Sequence, residues 1–428
     1  MQKEKDNCEH GLLRAGSIFL AGSIAVAVFN YLYHVFMGRM LGPGDYGILG
    51  SLFAIIYIIA FSTKTFGLVL SKFSAEFHGK NEFGNLKSLV KRSFKKLACL
   101  GAIVLILFFA VSPFIAEFMH LDSISGIVIV GFIAYFSVLF AILTGALNGL
   151  QKFVWQNIAI VVSIFIKFFL AIILVYFGMG VNGALIAIML GLVLGIFIAE
   201  LPLSKLLKGI EARRFDSKRI YAFFTPAFLS ILFPILLITL DHILVKHFFT
   251  SVDAGIYTAS GNIGKIIWFS SGFFIYAMYP KIIELKSKNK ETKKLLEKTL
   301  LYTTFLAMGG VFIYFLVPEF LISIIYGSQY LSASPLIGIF GLSLGVYSIS
   351  QVLIYYNLAV EKYGFLFFLF IGLVIEILGI ISFHKTLLQI LIWVLAANIF
   401  NLISLLIFIK SELRKDEIKK IVNHCALL

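Results

Sequence analysis

Long apolar runs alternate with short polar connections along almost the whole chain. The hydrocarbon core of a bilayer takes about 20 apolar residues per helix, and twelve runs approach or exceed that length. The runs are too long for barrel strands and do not alternate in polarity, which excludes a closed β-barrel. The pattern predicts twelve membrane-spanning helices at roughly 15–37, 46–70, 97–119, 124–146, 155–177, 180–201, 220–243, 255–279, 300–324, 333–356, 364–383 and 387–409.

The composition of the chain supports a membrane protein. The chain has 428 residues, of which 60% are hydrophobic and only 14% charged, whereas a soluble domain carries about 25% charged residues.

The first apolar run is longer than the core of a signal peptide, which is about 7–15 residues. We therefore expect it to be a retained first span.

Basic residues lie almost entirely on one side of the predicted spans. Of the 36 Lys and Arg residues, thirty fall in connections on the side of the N-terminus, and only Arg39, Lys246 and Lys385 fall in the opposite connections. Cytoplasmic loops carry this excess of positive charge, so the sequence predicts a plasma-membrane protein with both termini cytoplasmic. The net charge of +14 is placed next to apolar runs, which favours anionic membrane lipid as its partner and not nucleic acid.

The two halves of the chain share short motifs in the same order. The offset between the matching segments stays between 205 and 210 residues, which predicts an internal repeat of six spans. The matching segments are 33–52 with 241–260, 110–119 with 315–325, and 149–153 with 359–363.

An even number of spans per repeat gives both repeats the same orientation in the membrane. The predicted fold class is therefore an all-α polytopic membrane protein with twelve transmembrane helices. These form two like-oriented six-helix lobes, 1–210 and 211–428, around a central cavity. This architecture is typical of transporters that work by alternating access.

No enzyme signature is present. The chain lacks the GxSxG, HExxH and P-loop motifs, so we expect neither an enzyme nor a metal or other cofactor. A membrane-embedded glycosyltransferase or polymerase is a weaker hypothesis, because the outer connections are too short to carry acidic or metal-binding catalytic groups.

Three lysines inside spans are the first candidate site residues. A charged side chain at the bilayer centre costs at least about 2.5 kcal/mol and needs a partner or water. Lys64, Lys167 and Lys265 could line a cationic cavity that receives an anionic group such as a phosphate. For Lys64 the alternative is that its side chain reaches the cytoplasmic interface, because it lies only eight residues from Lys72.

Other polar residues extend this candidate pathway. Asn30 and His34 form a polar stripe on the first span. Asp241 closes the seventh span, either as a transport residue or as a structural bond, and Glu376 lies in the eleventh span, where pairing with a lysine is the alternative role. Arg39, in "GRMLGPGDYGILGSL", could meet a phosphate leaving the cavity on the outer side, where Tyr46 is expected to act as an interfacial aromatic anchor.

These motifs resemble the oligosaccharide flippase, or polysaccharide biosynthesis protein, family, which shares a superfamily with multidrug exporters. The resemblance covers nearly the whole chain. The first half matches through Arg39, Leu41, Gly42, Pro43, Tyr46 and Gly47, and the second half through Asp241, Gly255 and Tyr257.

The resemblance implies that the chain moves a polyprenyl-linked oligosaccharide from the cytoplasmic to the outer leaflet. Glycosyltransferases or a polymerase of the same pathway would then be partners. A peptidoglycan-precursor flippase or a small-molecule exporter of the same superfamily is the alternative. Drug exporters of this superfamily typically use a membrane-embedded acid in the first lobe, and here no acid lies mid-membrane in the first six predicted spans.

The predicted topology can be tested by cysteine labelling. In a chain with Cys8, Cys99 and Cys425 replaced by Ser, Lys385→Cys should react with a membrane-impermeant maleimide added to intact cells. Lys152→Cys should react only after permeabilisation, because its connection is cytoplasmic. The reverse labelling pattern would show that the orientation is inverted.

Overall fold

The computed structural model describes residues 2–213, 218–288 and 290–425, and these residues form helices and short connections without any β-strand. Ten helical stretches of the described residues are long and apolar enough to cross a membrane. Two of them, Gly22–Gly79 and Phe153–Leu206, are 58 and 54 residues long, and each is divided into two spans by a break near Gly42 or Gly178. The ten stretches therefore supply twelve spans, which confirms the predicted fold class.

The first compact unit covers Met1–Ile231. Its last helix continues into the second unit, so the boundary between the units falls inside the predicted seventh span. The helices of the first unit are α1 (Gln2–Gly79), α2 (Phe83–Phe118), α3 (Ser125–Gly149), α4 (Phe153–Leu174), α5 (Gly180–Leu206) and α6 (Lys218–Leu236).

The second compact unit covers Leu232–Leu428. A 3₁₀ turn at Ser328–Ala333 leads into its most buried helix, α11. The helices are α7 (Leu240–Phe248), α8 (Ser251–Ser287), α9 (Lys293–Leu316), α10 (Pro318–Ile325), α11 (Ser334–Ala359), α12 (Phe365–Ser382) and α13 (Leu387–Cys425).

Glycine and proline account for the breaks in the long helices. Gly42 has a positive φ of 72°, which only glycine adopts at little cost. Pro43 follows as the first residue of the next helical segment, where its missing N–H would be unpaired in any case. A π-helical turn at Val175–Met179 with Gly178 at φ 84° separates α4 from α5 in the same way.

Close helix packing in the first unit also depends on glycine. Gly145 of α3 faces the backbone of Gly67 in α1, and a β-carbon at this position would collide with the Gly67 carbonyl. Small residues let helix backbones approach in this way, which is a main source of helix association in lipid. An apolar cluster, which includes Leu86, Leu147 and Leu203, fills the space between α2, α3 and α5.

Gly145→Ala should destabilise the protein, because the opposing group is backbone and cannot move aside. Overpacking of this kind costs about 1–3 kcal/mol. Gly309→Ala in α9 is the matched control, because a β-carbon there meets nothing within 4 Å, and it should be neutral or slightly stabilising. Thermal unfolding in detergent measures both, and equal melting temperatures for the two variants would contradict the packing argument.

Candidate functional site

In the first unit, Lys167 of α4 is held by polar and aromatic groups of α1. Its ammonium donates a hydrogen bond of 2.9 Å to Asn30 Oδ1. The Nζ atom lies 4.2 Å from the centre of the Tyr33 ring and 5.4 Å from that of Phe53. The aromatic faces attract the cation, so the lysine is buried with only 9% of its surface exposed.

The surroundings of Lys167 are fixed from two sides. The Tyr33 hydroxyl donates to the Ala184 carbonyl of α5 at 3.0 Å, which holds the ring under the ammonium. Gly191 of α5 lies against the backbone of Ser163 and Lys167, where a side chain would not fit. The position of the lysine therefore depends on α1, α4 and α5 together.

Lys167 has no acidic partner. Across the described ranges it forms no ion pair with a carboxylate, and its contacts are an amide oxygen and two aromatic rings. The charged form of the lysine is stabilised here only by these groups, so a bound anion would supply compensation that the described surroundings lack.

His34 lies beside this group on α1. Its Nε2 atom is 3.0 Å from the Tyr57 hydroxyl, and its Nδ1 atom is 3.4 Å from the Tyr46 hydroxyl. Tyr46 has no exposed surface, so the prediction that it anchors the outer membrane interface is wrong. The restart of the helix at Pro43 turns Tyr46 inward, onto the preceding part of α1.

Lys64 and Arg39 lie outside the Lys167 group. The Lys64 side chain is exposed, and its Nζ atom lies 3.7 Å from the centre of the Phe61 ring. Lys64 forms no ion pair with any residue in the described part of the chain. The Arg39 side chain is also exposed, close to the break at Gly42.

In the second unit, the helix of the seventh span breaks three residues after Pro234. The N–H groups of residues 237–239 bond to carbonyls three or four positions back, and α7 begins at Leu240. The Tyr347 hydroxyl of α11 donates to the Pro234 carbonyl at 2.9 Å. This break places Asp241 in the first turn of α7, where a negative charge suits the helix N-terminus.

The Asp241 carboxylate is buried and accepts two side-chain hydrogen bonds. His242 Nδ1 lies 2.8 Å from one carboxylate oxygen, and the Tyr257 hydroxyl donates to the other at 2.7 Å. Only 2% of the Asp241 surface is exposed. Its contacts explain why a carboxylate is tolerated at this depth.

Lys265 of α8 faces the same small cavity as Asp241. The cavity has room for about one water molecule. Lys265 Nζ also donates to Asn262 Oδ1 at 3.3 Å. The surroundings of Lys265 therefore include an acid, whereas those of Lys167 contain none among the described residues. The cavity is lined by Leu237, Ile238, Asp241, His242, Gly261, Lys265, Phe340, Ser343, Leu344 and Val394.

Glu376 lies in the interface between α12 and α13. Gly372, one turn before it, packs against Asn401, and Gly379, one turn after it, packs against Trp393. The carboxyl group is fully buried, and neither of its oxygens has a hydrogen-bond partner among the described residues. Glu376 forms no salt bridge with Lys167, Lys265 or any other described residue.

The structure thus joins some of the sequence-predicted residues and separates others. Asn30 and Lys167 are in direct contact, with His34 beside them, and Asp241 and Lys265 share a cavity. Sequence reasoning missed the aromatic partners, although Tyr33 lies one turn after Asn30 on the predicted polar stripe. The missed partners are Tyr33, Phe53, Tyr57 and Tyr257.

Among the described residues, no cluster of three or more His, Cys, Asp or Glu side chains could hold a metal ion.

Solved structures of several transporters share this fold. An inward-facing multidrug resistance transporter of the MATE family aligns over 92% of this chain and 96% of its own, with 15% identity and a TM-score of 0.77. The lipid II flippase MurJ in an inward closed conformation aligns over 92% and 87%, with 17% identity and a TM-score of 0.73. A MOP-superfamily transporter from Pyrococcus furiosus, described as having a binding pocket of reverse polarity, aligns over 95% and 96%, with 15% identity and a TM-score of 0.62.

Twelve spans arranged in this way define a multi-pass membrane protein with the fold of these transporters. The sequence profile of the polysaccharide biosynthesis protein family matches residues 36–335, which is well over half of the chain. The chain belongs to the polysaccharide biosynthesis protein family. No curated protein matches it at a significant level.

Asp241 and Lys265 line the same cavity, so we expect the effects of substituting them on the free energy of unfolding to depend on each other. Asp241→Asn should lower stability, because the variant leaves Lys265 buried without its acid and removing one member of a buried charge pair costs about 3–5 kcal/mol. Adding Lys265→Met should restore part of the loss. A double-mutant cycle on thermal unfolding measures the coupling, which we expect to exceed about 1 kcal/mol, and strictly additive effects would rule it out.

Proposed function

We propose that this protein is a flippase for a polyprenyl-linked oligosaccharide, which it moves from the cytoplasmic to the outer leaflet by alternating access. The product would serve the assembly of a cell-surface polysaccharide or glycan. The family match supports the pathway, and the fold supports membrane transport. The observation that carries the proposal is the buried Lys167 ammonium, which contacts no carboxylate among the residues that the structure describes.

The headgroup of such a substrate carries a diphosphate. Phosphate oxygens are strong acceptors for a lysine ammonium, and charge-assisted hydrogen bonds are about twice as strong as neutral ones. Lys167 would exchange its bond to Asn30 for a bond to phosphate, while Tyr33 and Phe53 hold its side chain in place. Lys64, exposed and also without an acid, would supply a second positive charge in the same unit.

The second unit has a different part in this proposal. Lys265 shares its cavity with Asp241, so it would contribute less net attraction for an anion than Lys167. We infer that Asp241, Tyr257 and His242 stabilise the broken seventh span, and that Lys265 completes this group. Arg39 would meet the phosphate on the outer side, and Glu376 stays a pathway candidate without a described partner.

The proposed internal repeat has support from matching local contacts. His34 in the first unit lies against Tyr46, and His242 in the second unit lies against Tyr257, with ring centres 5.2 Å apart. Each histidine belongs to the first span of its half and each tyrosine to the beginning of the next span. Two copies of one ancestral hairpin would produce this recurrence.

We further propose a plasma-membrane location with cytoplasmic termini, action without enzymatic chemistry, and cooperation with glycosyltransferases or a polymerase of the same pathway. The alternative is a peptidoglycan-precursor flippase or a small-molecule exporter. The multidrug transporter and the lipid II flippase among the structural neighbours represent these two activities. The experiment below distinguishes them by cargo.

The proposal is tested in liposomes that contain the purified protein and a fluorescent polyprenyl-diphosphate-linked oligosaccharide. Leaflet accessibility of the label should change only when the protein is present. Lys167→Gln should reduce the initial rate about tenfold or more, because one hydrogen bond to a charged group contributes about 1.5–3 kcal/mol. Lys281→Gln is the matched control, because Lys281 is exposed and paired with Glu284, and it should keep the wild-type rate.

Two parallel assays identify a wrong cargo, and the rate of the variant tests the site. Flipping of labelled lipid II without flipping of the oligosaccharide would assign the peptidoglycan pathway. Export of ethidium without lipid flipping would assign a drug exporter. Equal rates for Lys167→Gln and the wild-type protein would remove Lys167 from the substrate site.

A further inference from the structure

The cytoplasmic extension of α2 carries a second, separate set of cations. Helix α2 has 36 residues and is therefore about 54 Å long, whereas the hydrocarbon core is only about 30 Å thick. Its apolar part begins near Leu97, so residues 83–96 extend beyond the core on the cytoplasmic side. This extension contains Lys91, Arg92, Lys95 and Lys96.

One face of α2 is continuous from this extension into the membrane. Arg92 and Lys95 are exposed, and Leu100, Ile103 and Leu107, which follow at helical spacing, are 45%, 55% and 60% exposed. Exposed apolar side chains on a membrane span face lipid tails. Because Arg92 and Lys95 lie on the same helical face, within about one and a half turns before the apolar part, they lie at the depth of the lipid headgroups.

The opposite face of the extension is fixed to the protein. Leu86 and Leu89 belong to the buried apolar cluster of the first unit. Lys87 Nζ donates to the Ile210 carbonyl at 2.7 Å, and the Arg213 N–H donates to the Gly84 carbonyl at 3.0 Å. These bonds prevent the extension from rotating, so the Arg92–Lys95 face stays directed towards the lipid.

Neither Arg92 nor Lys95 has a partner that would neutralise it. They form no ion pair with any residue in the described parts of the chain, whereas Lys281 and Lys288 of the second unit both contact Glu284, at 2.8 and 2.6 Å. Guanidinium and ammonium groups at the headgroup level attract anionic lipids, and a negatively charged phosphate gives the strongest hydrogen bonds to them.

We propose that Arg92 and Lys95 form a binding site for the headgroups of anionic phospholipids in the cytoplasmic leaflet. The site lies on the lipid-facing side of α2, away from Lys167. It does not depend on which substrate the protein transports. It would hold a shell of anionic lipid against the first unit.

Native mass spectrometry of the full chain tests this site. The protein is released from nanodiscs of equimolar phosphatidylglycerol and phosphatidylcholine, and the ratio of the two lipids retained is measured. We expect the wild-type protein to favour phosphatidylglycerol, and Arg92→Gln/Lys95→Gln to reduce that preference at least twofold. The preference of the wild-type protein should also weaken at 1 M salt, where the screening length falls to about 3 Å.

Lys281→Gln/Lys288→Gln is the control, because it removes the same charge from cytoplasmic residues that are already paired. It should retain the wild-type lipid ratio, and thermal unfolding verifies that both variants fold. The absence of any phosphatidylglycerol preference in the wild-type protein would overturn the proposal. So would an equal loss in the control, which would show a response to net charge alone. Oligosaccharide flipping is not needed for either measurement, so failure of the proposed function leaves this result interpretable.

Discussion

A charged side chain within a membrane-spanning helix must find its partners inside the protein, because lipid tails offer none. This constraint organises both units of the molecule. In the first unit, Lys167 is held by the Asn30 amide oxygen and by the faces of Tyr33 and Phe53. In the second unit, Lys265 shares a cavity with Asp241. The second arrangement places an acid close to the lysine, and the first does not among the described residues.

The same constraint applies to the backbone at the helix breaks. A broken helix leaves carbonyl and N–H groups that must be bonded within the protein at membrane depth. The break at residues 237–239 is compensated by bonds to nearer carbonyls and by the Tyr347 hydroxyl on the Pro234 carbonyl. The break in turn places Asp241 at a helix start. Pro234, Tyr347 and Asp241 therefore all belong to one irregular segment of the seventh span whose N–H groups at 237–239 are bonded within the protein.

The chain belongs to the polysaccharide biosynthesis protein family and shares its fold with several transporters. Neither fact identifies the cargo, so the proposed cargo depends on the residues of the site. The difference between the two lysines is informative here. A cationic drug would be repelled by an unneutralised Lys167, whereas a lipid-linked diphosphate would be attracted to it. Basic residues also lie outside the pathway, on the lipid-facing side of α2. We therefore propose two uses of positive charge: a buried one that meets cargo, and an exposed one that meets the surrounding membrane.

The sequence by itself determined the twelve spans. The length and hydropathy of each run are local properties, and the thickness of the hydrocarbon core sets the length that a spanning helix needs. The sequence also identified Asn30, Lys167, Asp241 and Lys265 as charged or polar groups that need partners. Only the tertiary structure decided which partners these groups have. Helix rotation and approach depend on distant small residues such as Gly191 against Lys167, and hydrophobic periodicity does not encode such pairings. For the same reason Tyr46, expected at the interface, is buried beside His34: a single positive-φ glycine at position 42 redirects the helix that carries it.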